Sequence, residues 1–148
     1  MHHFLSQTAE YALRAMSWLA IESPEAAVRA RDLSEGSGIP AHYLAKVLRR
    51  LVLAGLLESQ KGLGGGFSLS REPSEILFSD ILKAVDAYPS LDRCAFGWGE
   101  CDAEKPCPLH ESWAQLGELF CNWATRTTLA DTASDTPLEM RRLLRGKK

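Results

Sequence analysis

The chain has no apolar run approaching the roughly 20 residues that a membrane span needs, and Met1, His2 and His3 lead into a polar segment rather than a signal-peptide pattern. A cytoplasmic protein is expected, in a compartment where thiols stay reduced. It has little cysteine, only four residues, and no C-x2-C pair of the zinc-ribbon kind. It has no Gly-rich stretch followed by Lys-Ser or Lys-Thr, so a phosphate-cradling nucleotide loop is excluded. No nucleophile and base pair is legible, which argues against an enzyme and a small-molecule substrate. Net charge is only −2, so the protein does not coat nucleic acid indiscriminately.

That small sum hides an uneven distribution. Residues 29 to 61 carry Arg29, Arg31, Lys46, Arg49, Arg50 and Lys61 against Asp32, Glu35 and Glu58, a local +3, and the rest of the chain is −5. A positive segment on an acidic body suits a protein that meets phosphates with one face.

The pattern of elements fits that face. Ser6 is a good N-cap, and Ala9, Ala12, Leu13, Met16, Leu19 and Ala20 recur at helical spacing through Ile21, with Ser23-Pro24 as the stop. Two short helices follow, Ala30 to Ser37 and Ala41 to Leu53, joined by Gly38-Ile39-Pro40. Such a turn is a helix-turn-helix signature: Gly38 permits the left-handed backbone, Ile39 plugs the crevice, and Pro40 starts the second helix. A plain helical hairpin would look similar. The next residues separate the two, because Leu56–Gln60 and Phe67–Ser70 are short alternating segments around Lys61-Gly62-Leu63-Gly64-Gly65-Gly66. They predict a hairpin, or wing, whose bare backbone can lie against a groove wall. Arg31, His42, Tyr43, Lys46, Arg49 and Arg50 on the helices, with Lys61, Gly62 and Leu63 on the wing, are the expected DNA contacts.

A further helix is expected from about Ser79 to Tyr88, closed by Pro89. Beyond it Cys94, Cys101 and Cys107 are spaced C-x6-C-x5-C in a loop with Gly97, Gly99, Pro106 and Pro108, and His110 follows. Thiolates gathered that tightly, in a segment that can be neither helix nor long strand, point to a soft metal. Pro108 then opens a helix bearing Trp113, Leu116, Leu119, Phe120 and Trp123, an aromatic stripe that suits pairing with a second copy or packing on the first helix. Cys121 on that helix reads as a small buried hydrophobe.

With these residues in view the chain resembles the IscR and NsrR family of iron-sulfur, winged-helix transcription regulators over nearly its whole length. The likeness rests on Leu5-Ser6-Gln7-Thr8-Ala9-Glu10-Tyr11-Ala12, Gly38-Ile39-Pro40 with Tyr43-Leu44, Ala54-Gly55-Leu56 before the glycine wing, the three cysteines ahead of a Trp-bearing helix, and Thr128-Leu129-Ala130-Asp131. It implies a homodimer on a palindromic, double-stranded operator, commonly a repressor, with an iron-sulfur cluster held by Cys94, Cys101 and Cys107. Oxygen, nitric oxide or iron shortage would then switch DNA binding. Six residues between the first two cysteines, where the family more often has five, is a departure. Three thiolates leave one ligand position open. His110 matches a histidine that completes a [2Fe-2S] site in one branch. Glu10 matches a carboxylate supplied by the partner's first helix to a [4Fe-4S] cluster in the other, although a solvated carboxylate near a helix start looks the same. Both patterns are satisfied, so the cluster type stays open, as do a zinc site and a thiol-disulfide switch without metal.

The expected architecture is mainly α with a small β-hairpin wing. It comprises a winged helix-turn-helix over residues 1–90, a cysteine loop over 91–108, a dimerisation helix over 109–133, and a polar basic tail over 134–148 expected to be poorly ordered.

Overall fold

The computed structural model describes residues 3–22 and 25–134. Helix α1 (Gln7–Glu22) is capped by Ser6, whose Oγ accepts the Ala9 N–H at 3.2 Å. The helix lies at the centre of the fold, because Ala9, Ala12, Ala15, Met16, Leu19 and Ala20 are all buried and the small alanines let neighbours approach from several directions. The expected stop at Ser23-Pro24 lies outside the described residues.

Helices α2 (Ala30–Ser37) and α3 (Ala41–Leu53) pack on α1 and on each other. The turn between them is built as expected. Gly38 caps α2 at φ 69° with its N–H on the Ser34 carbonyl, the Ser34 hydroxyl donates to the Ile39 carbonyl at 2.6 Å, and Ile39 is fully buried. Leu44, Val47, Leu48 and Leu51 form the buried stripe of α3.

Strands β1 (Leu57–Gln60) and β2 (Gly66–Leu69) pair antiparallel from Leu57 opposite Leu69 to Gln60 opposite Gly66. A third rung comes from Val28, which exchanges two 2.8 Å backbone hydrogen bonds with Phe67. Gly66, at φ 148°, faces that rung so closely that an added Cβ would collide with the Val28 carbonyl. Gly66→Ala is therefore expected to destabilise the protein by about 1 to 3 kcal/mol through backbone strain and displacement of Val28. Urea unfolding of the variant, with operator binding measured alongside, checks this.

A 3-10 turn at Pro73–Glu75 leads into α4 (Phe78–Ala84), where Asp80 Oδ2 accepts the Leu77 N–H at 3.1 Å. The expected extension to Tyr88 does not form. Asp86 adopts φ 54°, and the Asp86 and Ala87 N–H groups fold back onto the Lys83 and Leu82 carbonyls, a Schellman-type ending.

The expected dimerisation helix over 109–133 is two helices, α5 (His110–Arg126) and α6 (Leu129–Ser134). Between them Thr127 is extended. The Phe78 N–H donates to the Thr127 carbonyl and the Leu129 N–H to the Ile76 carbonyl, so the backbone pairs with the stretch before α4 instead of continuing as helix. A Thr128–Asp131 capping box restarts the helix. Leu129 then sits fully buried in the main core, so α6 helps build the winged unit rather than standing apart from it. A smaller core of Ala9, Leu82, Phe120 and Ala124 joins α5 to α1 and α4. Ser134 closes α6, and the rest of the expected tail lies outside the described residues.

Candidate functional site

The exposed side of α3 is opposite its buried stripe. His42 and Tyr43 meet there with tilted rings whose centroids are 4.3 Å apart, and Tyr43 also meets Tyr11 of α1 at 5.8 Å, which fixes the ring on the surface at 41% exposure. Lys46 and Arg49 are exposed, and neither has an ion-pair or hydrogen-bond partner among the described residues. They are uncommitted cations, as phosphate or base-edge contacts require. Arg31 is less free, because its Nε donates to Glu35 Oε1 at 2.9 Å, and the hydrogen bond and charge of Glu35 raise its pKa.

Arg50 is more committed than its neighbours: its guanidinium donates to the Val85 carbonyl at 2.8 Å and lies 3.6 Å from Asp86 Oδ2, while the side chain stays 47% exposed.

The wing carries Lys61, Gly62 and Leu63 at its tip, all exposed. Gly62 and Gly64 take φ 92° and 73°, and the Gly65 N–H closes the turn on the Gly62 carbonyl. Leu63 is completely exposed, a lone apolar side chain on a backbone stripped of others.

The cysteine loop is itself folded. An antiparallel bridge joins Arg93 to Glu100, the Cys94 N–H donates to the Gly99 carbonyl at 2.9 Å, and the Cys101 N–H donates to the Asp92 carbonyl. Gly97 and Gly99, at φ 72° and 116°, make the reversal possible. The Cys94 thiol faces into this turn. Backbone N–H groups, chiefly that of Phe96, with those of Trp98 and Gly97 and the Cys107 thiol, pull its pKa down against the opposing effect of burial. Cys101 is pushed the other way, first by burial and then by the negative potential of Cys94, Cys107 and Asp92. Cys94 and Cys107 stand with their Sγ atoms 3.9 Å apart.

The two candidates for a fourth ligand are placed differently. His110 begins α5 directly beside the loop, its N–H on the Cys107 carbonyl at 3.0 Å. Glu10 lies on α1, paired with His3 Nδ1 at 3.2 Å. Among the described residues no three His, Cys, Asp or Glu side chains converge on one point, so a single chain gathers the Cys94–Cys107 pair and no fuller set.

Sequence reasoning missed three supports of the site: Val28 behind the wing, the Trp113 Nε1–H that holds the Arg93 carbonyl at 2.8 Å, and the stacked Phe96–Trp98 pair at the loop tip. Only the Phe-Gly-Trp spacing hinted at the last. Cys121 is half-buried beside Tyr88, and its proximity raises the pKa of the Tyr88 hydroxyl.

Known proteins resemble this chain in sequence and fold. The chain is 32% identical over 131 residues to the "HTH-type transcriptional regulator IscR" of Klebsiella pneumoniae (strain 342), covering 88% of this chain and 80% of that one. It is 34% identical to the protein of the same name from Serratia proteamaculans (strain 568), covering 88% and 79%. Among solved structures it is similar to CymR, the global cysteine regulator of B. subtilis, with TM-score 0.76, 25% identity and coverage of 92% and 100%. It is also similar to T. potens IscR, with TM-score 0.69, 25% identity and coverage of 95% and 97%. A family model described as "Iron-dependent Transcriptional regulator" matches residues 5–135. The chain belongs to the Rrf2 family of winged-helix, DNA-binding transcriptional regulators.

Proposed function

We propose that this protein is a cytoplasmic, homodimeric repressor whose grip on operator DNA is set by an iron-sulfur cluster held by Cys94, Cys101 and Cys107. The observation that carries this reading is the 3.9 Å between the Cys94 and Cys107 sulfurs. Two thiolates on one tetrahedral metal with bonds of about 2.3 Å stand about 3.8 Å apart, so the loop is pre-shaped for a shared metal centre. A bound cluster supplies a labile centre whose loss or modification changes how this loop is ordered. The fourth position goes to His110 in a [2Fe-2S] site, or to Glu10 from the partner's first helix in a [4Fe-4S] site. The description of the family as iron-dependent and the relatives named IscR favour iron over zinc.

The chain's own residues do the reading. His42, Tyr43, Lys46 and Arg49 enter the major groove while Lys61 and Leu63 touch the neighbouring minor groove. Phe120 of α5 turns inward, but Leu116, Leu119 and Trp123 stay exposed together with Phe4, and Leu119 is 69% exposed. A second copy covering this face places two recognition helices at a fixed separation, as a palindromic operator demands. Among the described residues no helix is long and apolar enough to cross a membrane.

The test is an ultraviolet-visible spectrum with iron, sulfide and zinc analysis on protein purified without oxygen. Broad visible absorption with iron and sulfide is expected. A colourless protein with stoichiometric zinc overturns the cluster. A metal-free protein whose operator affinity follows added reductant replaces it with a thiol switch.

A further inference from the structure

Arg50 crosses from the recognition helix to the point where α4 stops, with Nη1 on the Val85 carbonyl at 2.8 Å and beside Asp86 Oδ2 at 3.6 Å. Val85 is the C-cap of α4. Asp86, at φ 54°, is the only non-glycine residue with positive φ among the described residues. A left-handed aspartate where glycine would be easier persists only when its surroundings over-determine it. Here the surroundings are the Lys83 carbonyl behind it and Arg50 in front. From this joint the chain runs through Ala87, Tyr88 and Pro89 to Asp92, where the cysteine hairpin begins. Any displacement of that hairpin on its N-terminal side passes through Asp86, and Arg50 fastens Asp86 to α3.

We propose that Arg50 is a positioning residue whose hold on Val85 and Asp86 carries the state of the cysteine loop to the recognition helix. The geometry separates it from its neighbours: Lys46 and Arg49 are uncommitted, whereas the half-exposed Arg50 commits its guanidinium to the Val85 carbonyl and Asp86. An arginine suits the task because one rigid planar head grips two acceptors and so fixes a direction, which the flexible point charge of lysine does not. The proposal rests on the sensor reading above, and it assigns the mechanical link that reading requires.

The test uses full-length protein, loaded with its cluster without oxygen or stripped of iron, and a duplex selected from random DNA by the wild-type protein. Arg50→Gln is expected to bring the ratio of affinities between loaded and stripped forms at least fivefold closer to one, with iron content and visible spectrum unchanged. Its salt dependence of binding should match wild type, whereas Arg49→Ala should lower the slope of log K against log salt by about one. Arg50→Lys keeps the charge and should still lose the ratio. Asp86→Asn removes only the exposed carboxylate, tolerates the left-handed backbone, and should reproduce the effect; this keeps the test decisive if Arg50→Gln folds poorly.

An Arg50→Gln slope that falls by about one makes Arg50 a phosphate contact and overturns the proposal. Ratios unchanged in both Arg50→Gln and Asp86→Asn make the clamp a brace only and overturn it equally. Failure of the sensor reading shows separately, as a wild-type protein with one affinity whether loaded or stripped, and that result takes down both.

Discussion

Cys101→Ala is expected to give a colourless protein with little iron that still folds. The variant removes one of three thiolates, and two thiolates with a single weak donor do not retain a cluster. The loop itself should survive, because its hairpin is held by backbone hydrogen bonds, including that from the residue 101 N–H to the Asp92 carbonyl, which alanine keeps. Far-ultraviolet circular dichroism and the melting temperature of the metal-free protein should therefore match wild type, while visible absorption and iron per chain fall to background. Cys121→Ala is the matched control. That thiol lies on α5 next to Tyr88, outside the loop, and its loss should leave colour and iron intact. Stoichiometric iron in Cys101→Ala would sink the ligand assignment.

The Lys46→Ala, Arg49→Ala double variant is expected to weaken operator binding by about thirtyfold or more. Each lost phosphate or base contact costs about 1 to 3 kcal/mol, and two of them should lower the salt slope by about two. Both residues are exposed on α3 and free of internal partners among the described residues, so the loss is one of contact rather than of fold. Fluorescence anisotropy with a labelled duplex across a salt series measures both quantities. Unchanged affinity would move the reading surface from α3 to the wing.

What could be read before the structure was whatever depends on local backbone demand. Gly38-Ile39-Pro40 needs a left-handed residue, a buried plug and a helix start in succession, and all three are present. The glycines of the wing tip and the helical period of α3 carry the same kind of local signal. The cysteine spacing marked a loop whose shape was expected to come from a bound metal, but not its backbone-held hairpin, which depends on Gly97 and Gly99 adopting positive φ.

The rest turned on contacts distant in sequence. Arg50 looks like Arg49 as a letter, and only the arrival of Val85 and Asp86 decides which of the two cations acquires partners within the chain. Val28 contributes a single-residue rung, too short to show any period. The break at Thr127 is equally invisible locally, because Thr127 and Thr128 tolerate helix and strand alike until the stretch at Ile76–Phe78 offers its backbone. Arg126 and Leu129 could otherwise have belonged to one helix.

That pairing also sets an order of events during synthesis. Residues 76–78 leave the ribosome roughly 2 to 10 s before 127–129 at ordinary elongation rates. Until then the main core lacks Leu129, and the Phe78 N–H and Ile76 carbonyl lack their partners. A nascent or interrupted chain that ends within α5 has its recognition helix and wing already translated but not yet braced, and by the same moment the cysteines have already emerged. A chain whose main core is complete has therefore always carried its cysteine loop through synthesis.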